Sequence, residues 1–242
     1  MNDTFDLRAI KQLKNGEELT ISYISEDQLV QPTFMRRSIL KNWLFHCQCD
    51  RCLKPRDEQR EFRCPTCLMG SFTFPSHIYK DTPDDSLSCL SCGYIAQGDE
   101  ARELLEFEDS WIEAISEPII ELDRLKEMYN EVMKTFNGMH WVCYKLDSLI
   151  IPHLKDSRSS IRILALQRRV SYLEKLRFPT YSLAWATQDL AEYFMYSKDI
   201  ESLKSAAQLF QKSYWIMRSI TGPGPYCDDI ETKMIAVIDR IK

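Results

Sequence analysis

The sequence has 242 residues, 44% of them hydrophobic, and a formal net charge of −5 at pH 7. This length accommodates one large domain or two to three small ones, and the hydrophobic content is ordinary for a globular protein. No apolar run approaches the roughly 20 residues that span a bilayer, which argues against a membrane protein. The negative charge argues against broad binding to nucleic-acid phosphates.

The nine cysteines indicate a metal-binding protein of a reducing compartment. Nothing after Met1 has the pattern of a secretory signal peptide, and in the cytoplasm or nucleus thiols bind metal rather than form disulfides. We therefore expect a protein of the cytoplasm, the nucleus or both.

Residues 1–30 predict a short β-hairpin. Apolar and polar residues alternate over 7–10 and again over 19–24. Asn15 and Gly16 between them suit a tight turn, because both tolerate positive φ. Since an isolated two-stranded hairpin is marginal in water, we expect this segment to be the end of a larger sheet.

Residues 31–56 predict a helix that leads into a first cysteine cluster. Pro32 suits a first helical turn. The following apolar residues have helical spacing; they are Phe34, Ile39, Leu40 and Trp43. Cys47, Cys49 and Cys52 then form a C-x-C-x2-C run, which supplies three metal ligands and needs a fourth from elsewhere. His46 is adjacent but awkwardly placed to be that ligand.

A second cysteine cluster predicts a zinc ribbon over residues 57–98, after a polar linker at 54–59. Two C-x2-C knuckles lie 21 residues apart, and together they offer the four thiolates that tetrahedral zinc takes. The predicted ligands are Cys64, Cys67, Cys89 and Cys92. Gly93 permits the left-handed backbone that such a knuckle often needs. The alternatives are disulfides or free core thiols.

Short strands are expected on both sides of the ribbon, with an exposed loop between them. The strands are predicted at 72–74 and 94–95, and the loop includes residues 81–85. The segment 68–88 has one basic residue, Lys80, against three aspartates. Nucleic-acid binding through this ribbon is therefore a weak hypothesis.

From residue 99 to 242 the pattern is helical throughout. Helices are predicted at 100–116, 117–136, 140–155, 159–177, 180–197, 200–220 and 228–241. Leu190, Ala191 and Phe194, followed by Ala206 and Phe210, partly match a tetratricopeptide repeat, although their spacing exceeds the consensus. A helical-hairpin array and a bundle with similar small-residue packing are both compatible with this pattern.

Charge is unevenly distributed along the helices. Residues 99–134 contain twelve acidic and four basic residues, a net charge of −8, and residues 155–177 contain seven basic and two acidic, a net charge of +5. Such runs are typical of solvated helix faces. The alternative is an acidic groove that attracts a basic substrate tail.

The remaining titratable residues do not indicate a separate catalytic site. No histidine has a nucleophile at a recognisable spacing, so each is interpreted as a surface or packing residue; they are His46, His77, His140 and His153. Cys143 and Cys227 lie on predicted helices or at their ends and are expected to be core thiols.

Residues 16–24 (GEELTISYI), the following helix and residues 45–52 (FHCQCDRC) resemble the end of a SET domain and its post-SET segment. The arrangement is similar to the SET- and MYND-domain (SMYD) family of protein-lysine methyltransferases, and the added ribbon is similar to divergent invertebrate members. Residues 99–242 resemble the family's tetratricopeptide-like C-terminal domain. The resemblance implies S-adenosylmethionine-dependent methylation of a lysine in a protein or peptide, such as a histone tail.

The resemblance also implies roles for individual residues. In the family, the tyrosine of G-E-E-L-x-x-x-Y closes the target-lysine channel, which makes Tyr23 the catalytic candidate. A hydroxyl there orients the amine, and aromatic walls stabilise a methylated ammonium. Phe45 stands at the cofactor-binding position, and Trp43 stands where a tyrosine is common. The three-cysteine run corresponds to the post-SET zinc site, whose fourth thiolate comes from an N-H-S-C motif.

The N-H-S-C motif and the MYND fingers do not occur in the 242 residues, and no G-x-G cofactor loop precedes residues 16–24. We therefore expect zinc to be bound here and S-adenosylmethionine only in a complete family member. By this hypothesis the chain is a truncated product that does not methylate by itself. The alternative is a zinc-stabilised interaction protein whose helical array presents a peptide groove.

Overall fold

The computed structural model describes residues 7–75, 87–96, 98–116, 120–154 and 159–242. The chain divides into two compact units, one formed by Ser22–Arg168 and the other by Met1–Ile21 with Arg169–Lys242. The described residues are mostly helical, with two small antiparallel sheets. This confirms the predicted class, a mostly α protein with a small β and cysteine-rich part. No helix among them is both long and apolar enough to cross a bilayer.

The predicted N-terminal hairpin is wrong. The turn forms, since Gly16 has a φ of 81° and the Glu17 amide donates to the Lys14 carbonyl at 3.1 Å. The flanking stretches are irregular chain rather than strands, and Leu19 and Ile21 are 74% and 69% exposed. Alternating residues form a half-buried strand only where a sheet face covers them, and the described residues provide none here.

Short helices open the Ser22–Arg168 unit. They are α1 (Glu26–Leu29), α2 (Thr33–Leu40), a 3-10 turn (Lys41–Trp43) and α3 (Asp50–Leu53). The helix predicted from Pro32 is confirmed, with Pro32 as its N-cap residue. Proline has no side-chain acceptor, and the buried Asp57 carboxylate instead accepts from the Thr33 amide at 2.6 Å.

The predicted polar linker at 54–59 is wrong because most of it belongs to a strand. β1 (Arg56–Arg63) pairs antiparallel with β2 (Ser71–Pro75), with Phe62 opposite Phe72. The register shifts between Arg56 and Glu61, and such a bulge turns consecutive residues to one side; Gln59 and Arg60 are both buried. A strand this rich in charge lacks the β-branched residues that identify one in sequence.

Two shorter strands complete the ribbon. β3 (Leu87–Ser88) pairs antiparallel with β4 (Ile95–Ala96). The strand predicted at 72–74 is confirmed within β2, and the one at 94–95 is shifted by one residue. The loop predicted around 81–85, and His77, lie outside the described residues.

The helices of this unit pack over the β1–β2 hairpin. They are α4 (Gly98–Ala114), α5 (Leu122–Thr135) and α6 (Trp141–Ile150), which ends in a 3-10 turn (Ile151–Leu154). Phe62, Phe72 and Phe74 of the hairpin are at most 1% exposed, and Phe62 forms an isolated β-bridge with Phe136 after α5. The core of the unit therefore lies between the hairpin and the ends of α5 and α6.

The other unit is built from three long helices. After α7 (Ser160–Glu174) come α8 (Tyr181–Met195), α9 (Ile200–Thr221) and α10 (Pro225–Asp239). Its core combines small residues with Phe210. Of the five repeat-like positions, Phe194 is half-buried against the core and the other four are buried, which is compatible with either a repeat or a bundle; the four are Leu190, Ala191, Ala206 and Phe210. Cys143 on α6 and Cys227 on α10 are core thiols, as predicted.

Candidate metal centres

The four ribbon cysteines come together in one cluster. Their sulfur atoms all lie within 4.8 Å of one another, with Cys64–Cys92 at 3.7 Å and Cys67–Cys89 at 3.8 Å. A tetrahedron with Zn–S bonds of about 2.3 Å has S···S edges of about 3.8 Å, whereas a disulfide brings two sulfurs to about 2.05 Å. All nine cysteines are free. The donor set and its spacing fit zinc and exclude the disulfide alternative.

The two knuckles have matching backbone conformations. The Leu68 amide donates to the Cys64 carbonyl at 3.1 Å, and the Gly93 amide donates to the Cys89 carbonyl at 3.0 Å. Leu68 and Gly93 both have positive φ, 56° and 72°. The predicted left-handed glycine is therefore confirmed at Gly93, and the first knuckle reaches the same conformation with a leucine.

Backbone amides favour the thiolate form of two ligands. The Gly70 amide donates to Cys67 Sγ at 3.3 Å and lowers the pKa of Cys67. At Cys89, hydrogen bonds from the Cys92 and Ser91 amides lower the pKa to about 7. Amide donors of this kind offset part of the charge on metal-bound sulfur.

The pKa of the fourth thiol, Cys92, reflects its close sulfur neighbours. The Tyr94 amide acts to lower the pKa of Cys92, but desolvation and the three neighbouring thiols outweigh it and raise that pKa to about 12. Four thiolates at this spacing repel one another. A divalent cation among the sulfurs would relieve that repulsion, and the four-thiol geometry fits a structural zinc site.

The first cysteine cluster also forms, with three ligands. Cys47, Cys49 and Cys52 have sulfur atoms within 4.8 Å of one another, and among the described residues no fourth donor joins them. Desolvation raises the pKa of Cys47 to about 11. At Cys49 burial acts to raise the pKa, but hydrogen bonds from the Cys52 and Arg51 amides and from the neighbouring thiols lower it.

A buried arginine lies beside this three-thiol cluster. Arg36 on α2 is 2% exposed and donates to Cys52 Sγ at 3.7 Å, to Thr33 Oγ1 and to the Gln31 carbonyl. Its positive charge stabilises the ionised form of nearby thiols. The cluster has the donor chemistry of zinc with one coordination position left open.

The structure brings together the three aromatic residues identified from the resemblance. The Tyr23 ring lies 5.4 Å from the Trp43 ring and 5.3 Å from the Phe45 ring, measured between centroids. Leu44, with a φ of 59°, ends the 3-10 turn between Trp43 and Phe45. Tyr23, Trp43 and Phe45 are 49%, 56% and 39% exposed, so the trio forms an open aromatic surface.

The structure also contains a buried polar cluster that no sequence motif indicates. Glu108 on α4 accepts from Arg60 Nη2 at 2.6 Å and from Trp141 Nε1 at 2.7 Å, and all three residues are at most 3% exposed. His140 Nε2 lies 3.3 Å from Glu108 Oε1. Glu108 is one of twelve acidic residues in 99–134. The one sequence signal for its burial is helical spacing, which puts Glu108 on the same side of α4 as Leu105 and Trp111.

Among known proteins, the chain is similar to histone-lysine N-methyltransferases. The chain matches no protein-family model. It is 24% identical to histone-lysine N-methyltransferase ASHR1 of Arabidopsis thaliana over an alignment of 249 positions, gaps included, that covers 94% of this chain and 49% of ASHR1. It is 31% identical to histone-lysine N-methyltransferase SET5 of Meyerozyma guilliermondii over 109 residues, 42% of this chain and 21% of SET5.

A third match is short and more similar. Over 47 residues, 19% of this chain and 8% of the relative, the chain is 49% identical to the Arabidopsis protein SET DOMAIN GROUP 41. The chain thus spans about half the length of ASHR1 and smaller shares of the other two. It is related to SET-domain histone-lysine methyltransferases, as the resemblance in residues 16–52 predicts.

Proposed function

We propose that the chain is the C-terminal part of an S-adenosylmethionine-dependent protein-lysine methyltransferase of the SMYD type. The observation that carries the proposal is the alignment with ASHR1, a histone-lysine N-methyltransferase, over 94% of this chain. The order of post-SET cysteines, ribbon and helical array supports the SMYD type. The substrate is a lysine in a protein, with a histone tail as first candidate, and the location is the nucleus, the cytoplasm or both.

The aromatic trio is the proposed wall of the target-lysine channel. Methyl transfer requires a neutral amine aligned with a sulfonium methyl group, and cationic species exist before and after the step. Aromatic faces attract such cations, and the Tyr23 hydroxyl is suited to orient the amine. Centroid separations of 5.3 and 5.4 Å support a shared role, with Tyr23 catalytic and Phe45 beside the cofactor.

Zinc has a structural role in this proposal. Cys64, Cys67, Cys89 and Cys92 bind one ion and hold the ribbon. Cys47, Cys49 and Cys52 bind a second ion, which is completed by a fourth thiolate in an intact SET domain. The zinc ion at Cys47, Cys49 and Cys52 would also fix the position of Phe45 in the proposed lysine channel, because Phe45 is two residues from Cys47.

The 242-residue polypeptide alone is proposed to be inactive. Tyr23 is half exposed, and residues 19–24 form no strand that could wall a pocket. A channel that aligns amine and sulfonium needs aromatic walls on several sides and exclusion of water. Within the described residues, the trio provides one wall.

Calorimetric titration of S-adenosylmethionine into the zinc-loaded 242-residue chain tests the inactivity. We expect no saturable binding up to about 1 mM, the upper end of ordinary enzyme substrate affinities. Saturation at micromolar ligand would contradict the proposed inactivity, because it would show that this polypeptide already forms a cofactor pocket.

The family assignment is tested separately. A polypeptide that joins this chain to a SET core containing the N-H-S-C motif should methylate a histone peptide. Tyr23→Phe in that longer protein should lower kcat about 100-fold or more. Tyr196→Phe, at an exposed tyrosine of the helical unit, is the matched control and should leave kcat unchanged. Equal kcat for Tyr23→Phe and the control would refute the catalytic role.

A further inference from the structure

The first metal-binding knuckle is also the turn of the β1–β2 hairpin. β1 ends at Arg63, the knuckle occupies residues 64–70, and β2 begins at Ser71. The Cys64 amide donates to the Gly70 carbonyl at 2.9 Å and closes the turn. The second knuckle is attached to the same place, since the Leu90 amide donates to the Ser71 carbonyl at 3.3 Å. Metal binding by the four thiols therefore fixes the end of this hairpin.

The inner face of the hairpin supplies much of the core of the Ser22–Arg168 unit. Phe62 is fully buried, with its ring centroid 5.3 Å from that of Phe136 and 5.0 Å from that of His140. The Glu61 carbonyl accepts from the Asn137 amide at 3.0 Å. The segment between α5 and α6 is thus bonded directly to β1, two to three residues before the first metal ligand.

The same strand supplies the cation that neutralises a buried acid. Arg60 Nε lies 3.1 Å from both Glu108 oxygens, and Nη2 lies 2.6 Å from Oε2. The guanidinium is held between the rings of Phe34 and Phe74, at 4.9 and 5.0 Å from their centroids. Arg60 and Glu108 side chains are 1% and 4% exposed, so water cannot replace either partner while the fold stays closed.

Loss of this pair is costly for the helices. A buried carboxylate that loses its cation retains the full desolvation penalty. Glu108 is on α4, and its other donor, Trp141, begins α6. A two-stranded sheet is marginal by itself, so the β1–β2 hairpin depends on its metal-bound turn as well as on the helices to hold Arg60 in place.

We propose that metal binding at the four ribbon thiols controls the folding of helices α4–α6, with the buried Arg60–Glu108 pair as the connection. In the metal-free protein the core of the Ser22–Arg168 unit opens, and not the knuckles alone. Helices α8–α10 have their own core around Phe210 and stay folded. The folding of α4–α6 therefore depends on metal at the ribbon, and the folding of α8–α10 does not.

Hydrogen–deuterium exchange of the full chain, analysed by peptide mass spectrometry, tests the proposal. Cys92→Ser removes an exposed ligand; Leu90→Ser, at a 78% exposed position of the same knuckle, is the matched control. Peptides from α4–α6 should exchange at least about tenfold faster in Cys92→Ser than in the control, and peptides from α8–α10 at unchanged rates. Faster exchange confined to residues 64–70 and 87–96 would overturn the proposal.

A second comparison tests the connection itself. Arg60→Met with Glu108→Leu replaces both charges by apolar side chains and leaves no unpaired ion. In that background Cys92→Ser should still accelerate exchange in the knuckles, but its effect on α4–α6 should fall to about threefold or less. An undiminished effect on α4–α6 would exclude the ion pair as the route. If Cys92→Ser cannot be purified, wild-type and double-variant proteins with and without a chelator give the same comparison.

Discussion

Gly70 occupies the closest approach between the two knuckles. A Cβ at this position would lie 2.5 Å from Cys89 Sγ and 2.7 Å from Ser91 Oγ, distances that no packed carbon adopts. The obstructing atoms belong to one of the four clustered thiols and to Ser91 in the same knuckle, so a methyl group at Gly70 would push against the thiol cluster. The glycine is therefore required by contact with the second knuckle.

Gly70→Ala should weaken the four-thiol site. We expect a loss of about 1–3 kcal/mol in the free energy of unfolding, the usual cost of overpacking, and faster zinc transfer to a chromophoric chelator. Gly98→Ala is the control, since a Cβ there meets nothing within 4 Å. Chemical denaturation and the chelator assay give the two values. Equal zinc transfer rates for the two variants would show that the cluster tolerates the methyl group.

The residues of the candidate sites differ in how far sequence could identify them. The seven clustered cysteines were predictable because thiol spacing dictates which sulfurs can share an ion. Tyr23 and Phe45 could be identified only through the family resemblance, which assigns both residues to the same pocket; their rings are in contact in the structure. Arg60 and Glu108 were not predictable as a pair, because they are 48 residues apart and charged residues are ordinarily at the surface.

At the scale of elements, helices were easier to predict than strands. Periodic apolar residues and caps identified α8 to within two residues at each end, with Thr180 before it as the N-cap. The eight residues of β1 include six charged ones. Two of these are buried: Arg60 is paired with Glu108, and Asp57 accepts from the Thr33 amide at the start of α2. Residues 19–24 show the opposite case. Their apolar and polar residues alternate as in a strand, but no sheet among the described residues covers their apolar side, and no strand forms.

Thr180→Ala should destabilise α8 and the unit that contains it. Thr180 is 2% exposed, and its hydroxyl accepts from the Leu183 amide at 3.0 Å. Without it a buried amide loses its acceptor, which typically costs about 1–2 kcal/mol. Thermal unfolding followed by circular dichroism measures the change. Thr180→Ser retains the oxygen and should recover most of the loss; failure to do so would assign the effect to the lost methyl group.

At the scale of the whole molecule, composition and cysteine spacing predicted a mostly helical chain with a metal-bound β part. They could not predict that residues 1–21 group with Arg169–Lys242 and not with the post-SET segment. Such grouping depends on contacts between residues far apart in sequence, one of which is Arg8 against Gly222. Local periodicity carries no information about contacts of this kind.

The two thiol clusters should hold zinc with unequal strength. The ribbon site has four ligands, with amide donors on Cys67 and Cys89. The post-SET site has three described ligands and an open position that water must fill. Because each thiolate adds to the affinity and a closed site exchanges its ion more slowly, increasing chelator should remove one zinc ion well before the second.

Native mass spectrometry of the 242-residue chain measures this order directly. We expect two zinc ions without chelator and one over a wide range of intermediate chelator concentrations. Cys49→Ser should abolish the labile ion and leave the retained one, whereas Cys92→Ser should abolish the retained ion. If both ions leave together, or if Cys49→Ser weakens the retained ion, the clusters are not independent, and the post-SET segment would then have to be treated as part of the ribbon's fold.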